Sequence, residues 1–453
     1  MRKSFDVLLL FILLLARIML NKFAEAGLFE HFKNVTTSPA LSKLLPAGAA
    51  EAFGPWYGDP IFLLLTAVSL LAFLTYVALD LFRARLAEKT MFRWKYLLLW
   101  IVILTTVILP SLKMTILRHE NLPQSYSHDG GVIQTEAAVN YFLQGQNPYI
   151  ETYRNTPMAE WGFQQFRTAL DHYPYLPATF VLSAPVKLLF EATLGWYDQR
   201  FTYLILFIIT LALAAGLTRK REDILGLTML LGLNPIMGLD IIFGQNDSFV
   251  LAWLIISAWF LYRKNWLWSS IFFGVAAASK PTAWFLAPFW ALALLQQTSI
   301  PLSQAFRKAT MSKLAKRIVP ALGVFLIFTL PYFLWSPGDF IDDVWRWAAG
   351  TALIHYQIWG LGFANFVLAW GDLSDRFAVW PFWIPELLVS LPLLVILILK
   401  QLKDNSISSW FWHGAILLLG FAYFSRFLNE NYLGFLLGLL ALGYFTQSAI
   451  TAE

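Results

Sequence analysis

The chain has 453 residues, 58% apolar and 13% charged, against roughly 45–50% and about 25% in an ordinary soluble domain. The excess falls in blocks of about 17–25 residues, the length of a bilayer-spanning helix; this excludes a soluble globular protein, and without ten-residue alternation it excludes a transmembrane barrel. The net charge of +5 reflects loop bias in a membrane protein and does not point to nucleic acid, and the lack of cysteine removes disulfides and thiolate metal sites.

Met1-Arg2-Lys3 ahead of the apolar run Val7–Leu20 has the shape of a signal peptide, with Ala24-Glu25-Ala26 as a cleavage candidate. We read it instead as an uncleaved first helix. Apolar segments follow near 61–82, 96–116, 176–194, 200–217, 224–243, 248–262, 266–280, 282–297, 318–335, 357–370, 380–399, 409–426 and 432–448. Short basic clusters separate several of them: Arg83/Arg85/Lys89/Arg93/Lys95, Arg219/Lys220/Arg221, Arg263/Lys264, Arg307/Lys308/Lys313/Lys316/Arg317 and Lys400/Lys403. The positive-inside rule places all of these in the cytoplasm. Parity then requires that 176–194, interrupted by Pro185 and Lys187, and 357–370, interrupted by Gly360, Gly362 and Asn365, do not cross fully.

The expected architecture is an all-α polytopic membrane protein with about twelve transmembrane helices. Interfacial or re-entrant helices lie on the outer face, and both termini are cytoplasmic. Residues 1–95 form two N-terminal transmembrane helices with an outer loop, 96–300 a core, and 301–453 further transmembrane helices. Segments 117–175, 244–247, 336–379 and 427–431 and the helix end at Lys280 then share the extracytoplasmic face of a cell membrane. Most of the non-basic polar residues lie there.

Along that face the first informative stretch is His128-Asp129-Gly130-Gly131, followed from Thr135 by a short amphipathic helix with Ala138, Val139, Phe142 and Leu143 at helical spacing. The helix ends at Gly145 and Pro148. An amphipathic helix beside a membrane segment lies in the interface and holds Asp129 near the headgroups; as a plain structural element, Asp129 caps a turn. Tyr173 and Tyr175 in Asp171-His172-Tyr173-Pro174-Tyr175 suit either an aromatic belt or stacking on a sugar. Gln245, Asn246 and Asp247 form a polar turn between two apolar segments. Lys280 lies between apolar stretches, where a charge is costly; it either snorkels to headgroups or meets an anionic ligand. Asp339, Asp342, Asp343, Arg346, His355, Tyr356 and Gln357 form a polar segment whose acids read as a solvated face. His355 has no second histidine at metal-ligand spacing. Arg426 in Ser425–Tyr432 can hold a phosphate or pair with Glu430. No P-loop, dinucleotide fingerprint, HExxH or nucleophile elbow is present.

The order of these motifs, an outward Asp129 and then GQNPY, YPYLP, FGQND and GVAAASKPT between Tyr96 and Trp290, resembles the GT-C superfamily of membrane glycosyltransferases. Family 87, polyprenyl-phosphate-sugar-dependent mannosyltransferases, is the nearest pattern. It usually shows a histidine-containing motif near the last helices, where this chain has Ser425–Tyr432. The resemblance implies an inverting transfer of a hexose, expected to be mannose, from a polyprenyl-phosphate donor to a lipid or glycan acceptor. The partners are then donor, acceptor and membrane lipids, with no nucleic acid. Asp129 takes the place of the general base and Lys280 that of the donor-phosphate ligand, with Arg346, His355 and Arg426 as further candidates. His128, Gln245, Asn246, Asp247, Tyr173, Tyr175 and Gln357 are candidates for sugar or acceptor binding. No metal and no cofactor are expected. The alternative is a transporter or flippase of a lipid-linked substrate, for which the mid-segment break Asn234-Pro235 speaks. A lipid acyl- or phosphotransferase lacks a candidate nucleophile.

Overall fold

The computed structural model describes residues 4–81, 86–121, 126–160 and 168–446; Arg83 and Arg85 of the first basic cluster lie outside the described residues. The described chain is helical almost throughout, with one two-residue parallel pairing of Trp359–Gly360 with Phe427–Leu428. Six helices among the described residues are long and apolar enough to cross a membrane: Phe5–Ala26, Pro60–Leu81, Glu88–Asn121, Lys308–Trp335, Trp383–Lys403 and Ile407–Phe424. A seventh is reached if Arg221–Gly232 and Pro235–Phe243, bent by 50° at their junction, count as one span. Arg200–Ala215, Asp247–Tyr262, Trp266–Ala277 and Glu430–Phe445 are apolar but shorter. The structure thus supports a helical membrane protein with fewer full-length spans than the twelve expected.

Local chemistry explains the breaks. Asn234 accepts from the backbone N–H groups of Ile236 and Met237 (3.2 and 3.1 Å), and Pro235 occupies the first turn, so the chain restarts a helix where the preceding one has ended. Gly244 ends that helix in the left-handed region (φ 89°). Segment 357–370 yields only the helix Ala364–Trp370, seven residues and about 10 Å long, too short to cross a bilayer. Segment 176–194 forms the helix Ala178–Leu194 with Pro185 inside it.

Two layers of ion pairs mark the ends of the first three long helices. At one end Lys95 Nζ lies 2.8 Å from both Asp6 and Asp80. At the other, buried Lys113 pairs with Glu25 (2.5 Å) and with Asp59, and His31 Nε2 lies 3.1 Å from Asp59. The layers are separated by 18 to 21 residues of helix, a rise of roughly 27–31 Å, which matches the hydrocarbon thickness of a bilayer. Arg221 pairs with Glu88 beyond the Lys95 layer, whereas Tyr126, three residues before Asp129, contacts His31 at the Lys113 layer (hydroxyl to Nδ1, 3.4 Å). The basic turn 219–221 and Asp129 therefore stand at opposite ends of the bundle.

The largest apolar core runs through the helices between these layers and includes Leu99, Val102, Leu211, Leu254, Phe289, Trp410 and Leu439. A second, aromatic core lies beneath the amphipathic helix Thr135–Leu143 and gathers Tyr149, Tyr153, Tyr173, Phe180 and Tyr332.

Candidate active site

Two backbone segments meet at a pair of glycines. The His128 N–H donates to Phe243 O (2.6 Å), which sets residues 128–131 against the turn 243–247. A Cβ on Gly131 would lie 2.0 Å from Gly244 O, and one on Gly244 would lie 2.1 Å from a Val132 methyl, so the approach is possible only without side chains. Arg200, fully buried, fixes both segments at once: its guanidinium donates to Tyr126 O (2.7 Å) and Ile242 O (3.1 Å) and is neutralised by Asp198 (2.7 Å). Tyr203 Oη donates to Gly131 O (2.5 Å). Arg118 bridges Glu136 and Asp198 (both 2.8 Å) and ties the amphipathic helix to the same frame. None of these five residues, Arg118, Glu136, Asp198, Arg200 and Tyr203, stood out in the sequence; the only signal was a charge, Arg200, opening an apolar run.

Asp129 begins a short π-helical turn, Asp129–Gln134, and keeps 29% of its side chain accessible. Its Oδ1 lies 2.7 Å from His128 Nδ1, and His128 Nε2 lies 2.5 Å from Gln245 Nε2. Burial pushes the Asp129 carboxyl up. The charge and hydrogen bond of His128 and the backbone N–H groups of Gly130 and Asp129 outweigh it, and the carboxyl stays below its ordinary range. It is therefore ionised at neutral pH, the state a proton acceptor needs.

Lys280 does not snorkel. It is buried, donating to Asp247 (2.7 Å) and Asn246 (3.1 Å), with its ammonium over the rings of Tyr432 (5.1 Å) and Tyr175 (5.8 Å). Asn431 donates to the other oxygen of Asp247. Two of the three ammonium protons are thus directed at protein acceptors, leaving one for a ligand. Tyr175 joins Lys280 to Asp129: a Cβ on Gly130 would lie 2.6 Å from the Tyr175 hydroxyl, and the ring faces Lys280. Tyr356, which feels the charge of Asp129, is reached by Asn429 (3.5 Å). On these same segments Asn246 Nδ2, Gln357 Oε1 and Asn429 Oδ1 are buried with no hydrogen-bond partner among the described residues, as polar atoms facing a polar ligand would be. Among the sequence candidates, Asp129, His128, Gln245, Asn246, Asp247, Tyr175 and Lys280 come together here. Tyr356 and Asn429, which the sequence shows only as members of polar loops, were given no site role there.

The other candidates sit elsewhere. Tyr173 is sealed in the aromatic core with its ring against Tyr149, Tyr153 and Phe180. Arg346 is half exposed and pairs with Asp342 (2.9 Å). Both ring nitrogens of His355 contact backbone carbonyls, of Ala352 (2.7 Å) and Phe377 (2.6 Å). Arg426 is buried, pairs with no carboxylate among the described residues and donates to Tyr356 O (2.7 Å), Ala378 O (3.1 Å) and Arg376 O (3.4 Å), pinning the segment 350–380 from within; burial pushes its guanidinium down to about 10. The acidic segment is not wholly a solvated face: Asp343 is buried, 2.6 Å from His172 Nδ1 and 2.8 Å from the Tyr173 N–H. Among the described residues one carboxylate–imidazole group, Glu25–His31–Asp59, has the spacing of a metal site, and the Lys113 ammonium sits among its oxygens.

Residues 137–296 match the MptA_B family, described as alpha-(1->6)-mannopyranosyltransferase, N-terminal domain. The match supports a GT-C mannosyltransferase-like protein, an enzyme of the glycosyltransferase class. It takes in Tyr175, the turn 243–247 and Lys280, and begins after Asp129. No curated protein matches the chain.

Proposed function

We propose that this membrane mannosyltransferase takes mannose from a polyprenyl-phosphate donor and delivers it, with inversion, to a hydroxyl of a lipid or glycan acceptor on the extracytoplasmic face. The observation that carries the reading is the placement of an ionised carboxylate, Asp129, and a buried ammonium, Lys280, on two sides of Tyr175. In the proposed step the acceptor oxygen attacks C1 of the sugar, its proton passes to Asp129, and the bond from C1 to the phosphate oxygen breaks. The charge left on the lipid phosphate is met by the free donor of Lys280. Asn246, Gln357 and Asn429 offer their unpartnered atoms to sugar hydroxyls. A transporter would need the break at Asn234-Pro235 to face a substrate path; instead Asn234 donates to Gly434 O (2.8 Å) and Arg17 to Pro235 O (2.5 Å), and protein groups fill it.

The test is transfer by the purified, reconstituted protein from a panel of polyprenyl-phosphate sugars, with products identified by mass. Mannose transfer is expected, with both Asp129→Ala and Asp129→Asn inactive but folded. Full activity of Asp129→Asn on the authentic donor would remove the base assignment. Single cysteines at 129 and 219 in this cysteine-free chain test the sidedness, with labelling expected from opposite sides.

A further inference from the structure

We propose that Asn431, at the start of the last helix, is a positioning residue for Lys280: by holding one oxygen of Asp247 it keeps the third proton of the ammonium turned toward the donor phosphate. The inference rests on Lys280 as the donor-phosphate ligand. Asp247 is fully buried, and both its oxygens are engaged by protein, Oδ1 by Lys280 Nζ (2.7 Å) and Oδ2 by the side-chain amide of Asn431. It therefore acts through the ammonium rather than on a substrate. The ion pair carries no net charge, so what it offers a phosphate is a directed proton rather than an attractive field. That direction depends on how the carboxylate is shared.

Three elements bring these groups together, and each is held in place. Asp247 opens the helix Asp247–Tyr262 at the end of the turn 243–247. Lys280 stands in extended backbone (φ −159°, ψ 140°) ahead of Pro281, and the carbonyls of Ala278 and Ser279 before it accept from the N–H groups of Ala178 (3.0 Å) and Leu176 (3.1 Å). Asn431 lies in the first turn of the helix Glu430–Phe445, which docks on the break at 234–235. There Asn234 donates to Gly434 O (2.8 Å), and a Cβ on Gly434 would stand 2.8 Å from the Met237 nitrogen. The next residue, Tyr432, sets its ring 5.1 Å from the same ammonium. The last helix thus reaches Lys280 twice, from outside the residues 137–296 that match the family. Without Asn431, Oδ2 of Asp247 is a bare buried oxygen, and a buried carboxylate oxygen takes the donor at hand. The ammonium on Oδ1 then spans both oxygens and turns toward Oδ2 the proton that otherwise faces the phosphate.

The experiment compares Asn431→Ala, Asn431→Leu, Lys280→Ala and Lys280→Ala/Asn431→Ala in the reconstituted protein. It reads donor KM and kcat with polyprenyl-phosphate mannose, the inhibition constant of polyprenyl phosphate alone, and the melting temperature. Asn431→Ala is expected to raise both donor KM and the inhibition constant roughly 10- to 100-fold, the worth of one hydrogen bond to a charged group. A merely structural loss would shrink the active fraction, lowering kcat with both constants unchanged. If Asn431→Ala does not fold, Asn431→Leu, nearly the same shape without the donor, carries the comparison. In the Lys280→Ala background the proton that Asn431 directs is absent, so adding Asn431→Ala is expected to change both constants by less than about two-fold. The proposal is overturned if both constants stay parental in a folded Asn431→Ala or Asn431→Leu, or if Asn431→Ala raises them by the same factor with and without Lys280. Raised constants in Lys280→Ala beside parental ones in Asn431→Ala sink the role of Asn431 alone. Parental constants in Lys280→Ala remove the phosphate reading itself, and the positioning role with it.

Discussion

Gly131→Ala adds one carbon at the most crowded point of the site. The new Cβ would sit 2.0 Å from Gly244 O and 2.9 Å from Gln245 Cα, both backbone atoms, against the 3.4 Å of ordinary contact. The turn 243–247 must therefore withdraw by roughly 1 Å or more, and overpacking of this kind costs about 1–3 kcal/mol. Because the turn carries Gln245, Asn246 and Asp247, its withdrawal lengthens the contacts to His128 (2.5 Å) and Lys280 (3.1 and 2.7 Å) together. A misplacement of about 1 Å in positioned groups lowers turnover by about 100-fold. Gly130→Ala is the internal control: its nearest neighbour, at 2.6 Å, is the Tyr175 hydroxyl, the far end of a side chain that can tilt, so the loss is expected to be smaller. Transfer kinetics with polyprenyl-phosphate mannose and thermal melting in the same detergent supply the readouts. Parental kcat in a folded Gly131→Ala, or a larger loss in Gly130→Ala, would refute the reasoning.

Lys280→Ala is expected to raise donor KM and, by leaving fully buried Asp247 without its cation, to destabilise by about 3–5 kcal/mol. The double variant Lys280→Ala/Asp247→Asn should regain melting temperature but not KM, and an unchanged KM in either counts against a phosphate role. Arg426→Lys cannot reach three carbonyls, so melting should fall by about 1.5–3 kcal/mol equivalents with donor KM constant. A raised KM at constant stability would return Arg426 to the phosphate. The His172–Asp343 contact is expected to loosen with rising pH. Burial lifts Asp343 to about 7; burial pushes His172 down, but Asp343 more than offsets this and its pKa is also raised. Both groups hold a proton more tightly folded than unfolded, so their stabilisation is present in acid and lost as pH rises through about 7. Hydrogen exchange of 337–349, corrected for intrinsic rates, should therefore quicken between about pH 4 and 7, and Asp343→Asn should abolish most of that dependence.

The long apolar helices and the end of the bundle that bears Asp129 were legible because bilayer length and charge costs act on contiguous sequence. Asp129, Lys280 and the turn 245–247 were legible for a related reason: polar groups stand out between apolar stretches. Segment 357–370 was recognised as too broken to span, and its helix is indeed seven residues long. Two kinds of feature were hidden. Pairings between distant segments, such as His172 with Asp343 or Arg426 with the carbonyls of 356–378, depend on how loops fold back, which no local pattern encodes. The close approach of Gly131 and Gly244 was hidden as well: the sequence shows both glycines, but only the fold brings them together.

The ion-pair layer at Lys113 bears on how such enzymes diversify. Lys113 belongs to the helix that leads to Asp129, while its counter-ions Glu25 and Asp59 belong to the helices before it. A relative that lacks those first helices cannot keep a lysine at this place, since a bare ammonium there would have no anion. Glu25, Asp59 and Lys113 must then be gained or lost as a set. A lysine about sixteen residues upstream of the aspartate proposed here as the base becomes a marker, readable in any relative's sequence, for an N-terminal helical pair.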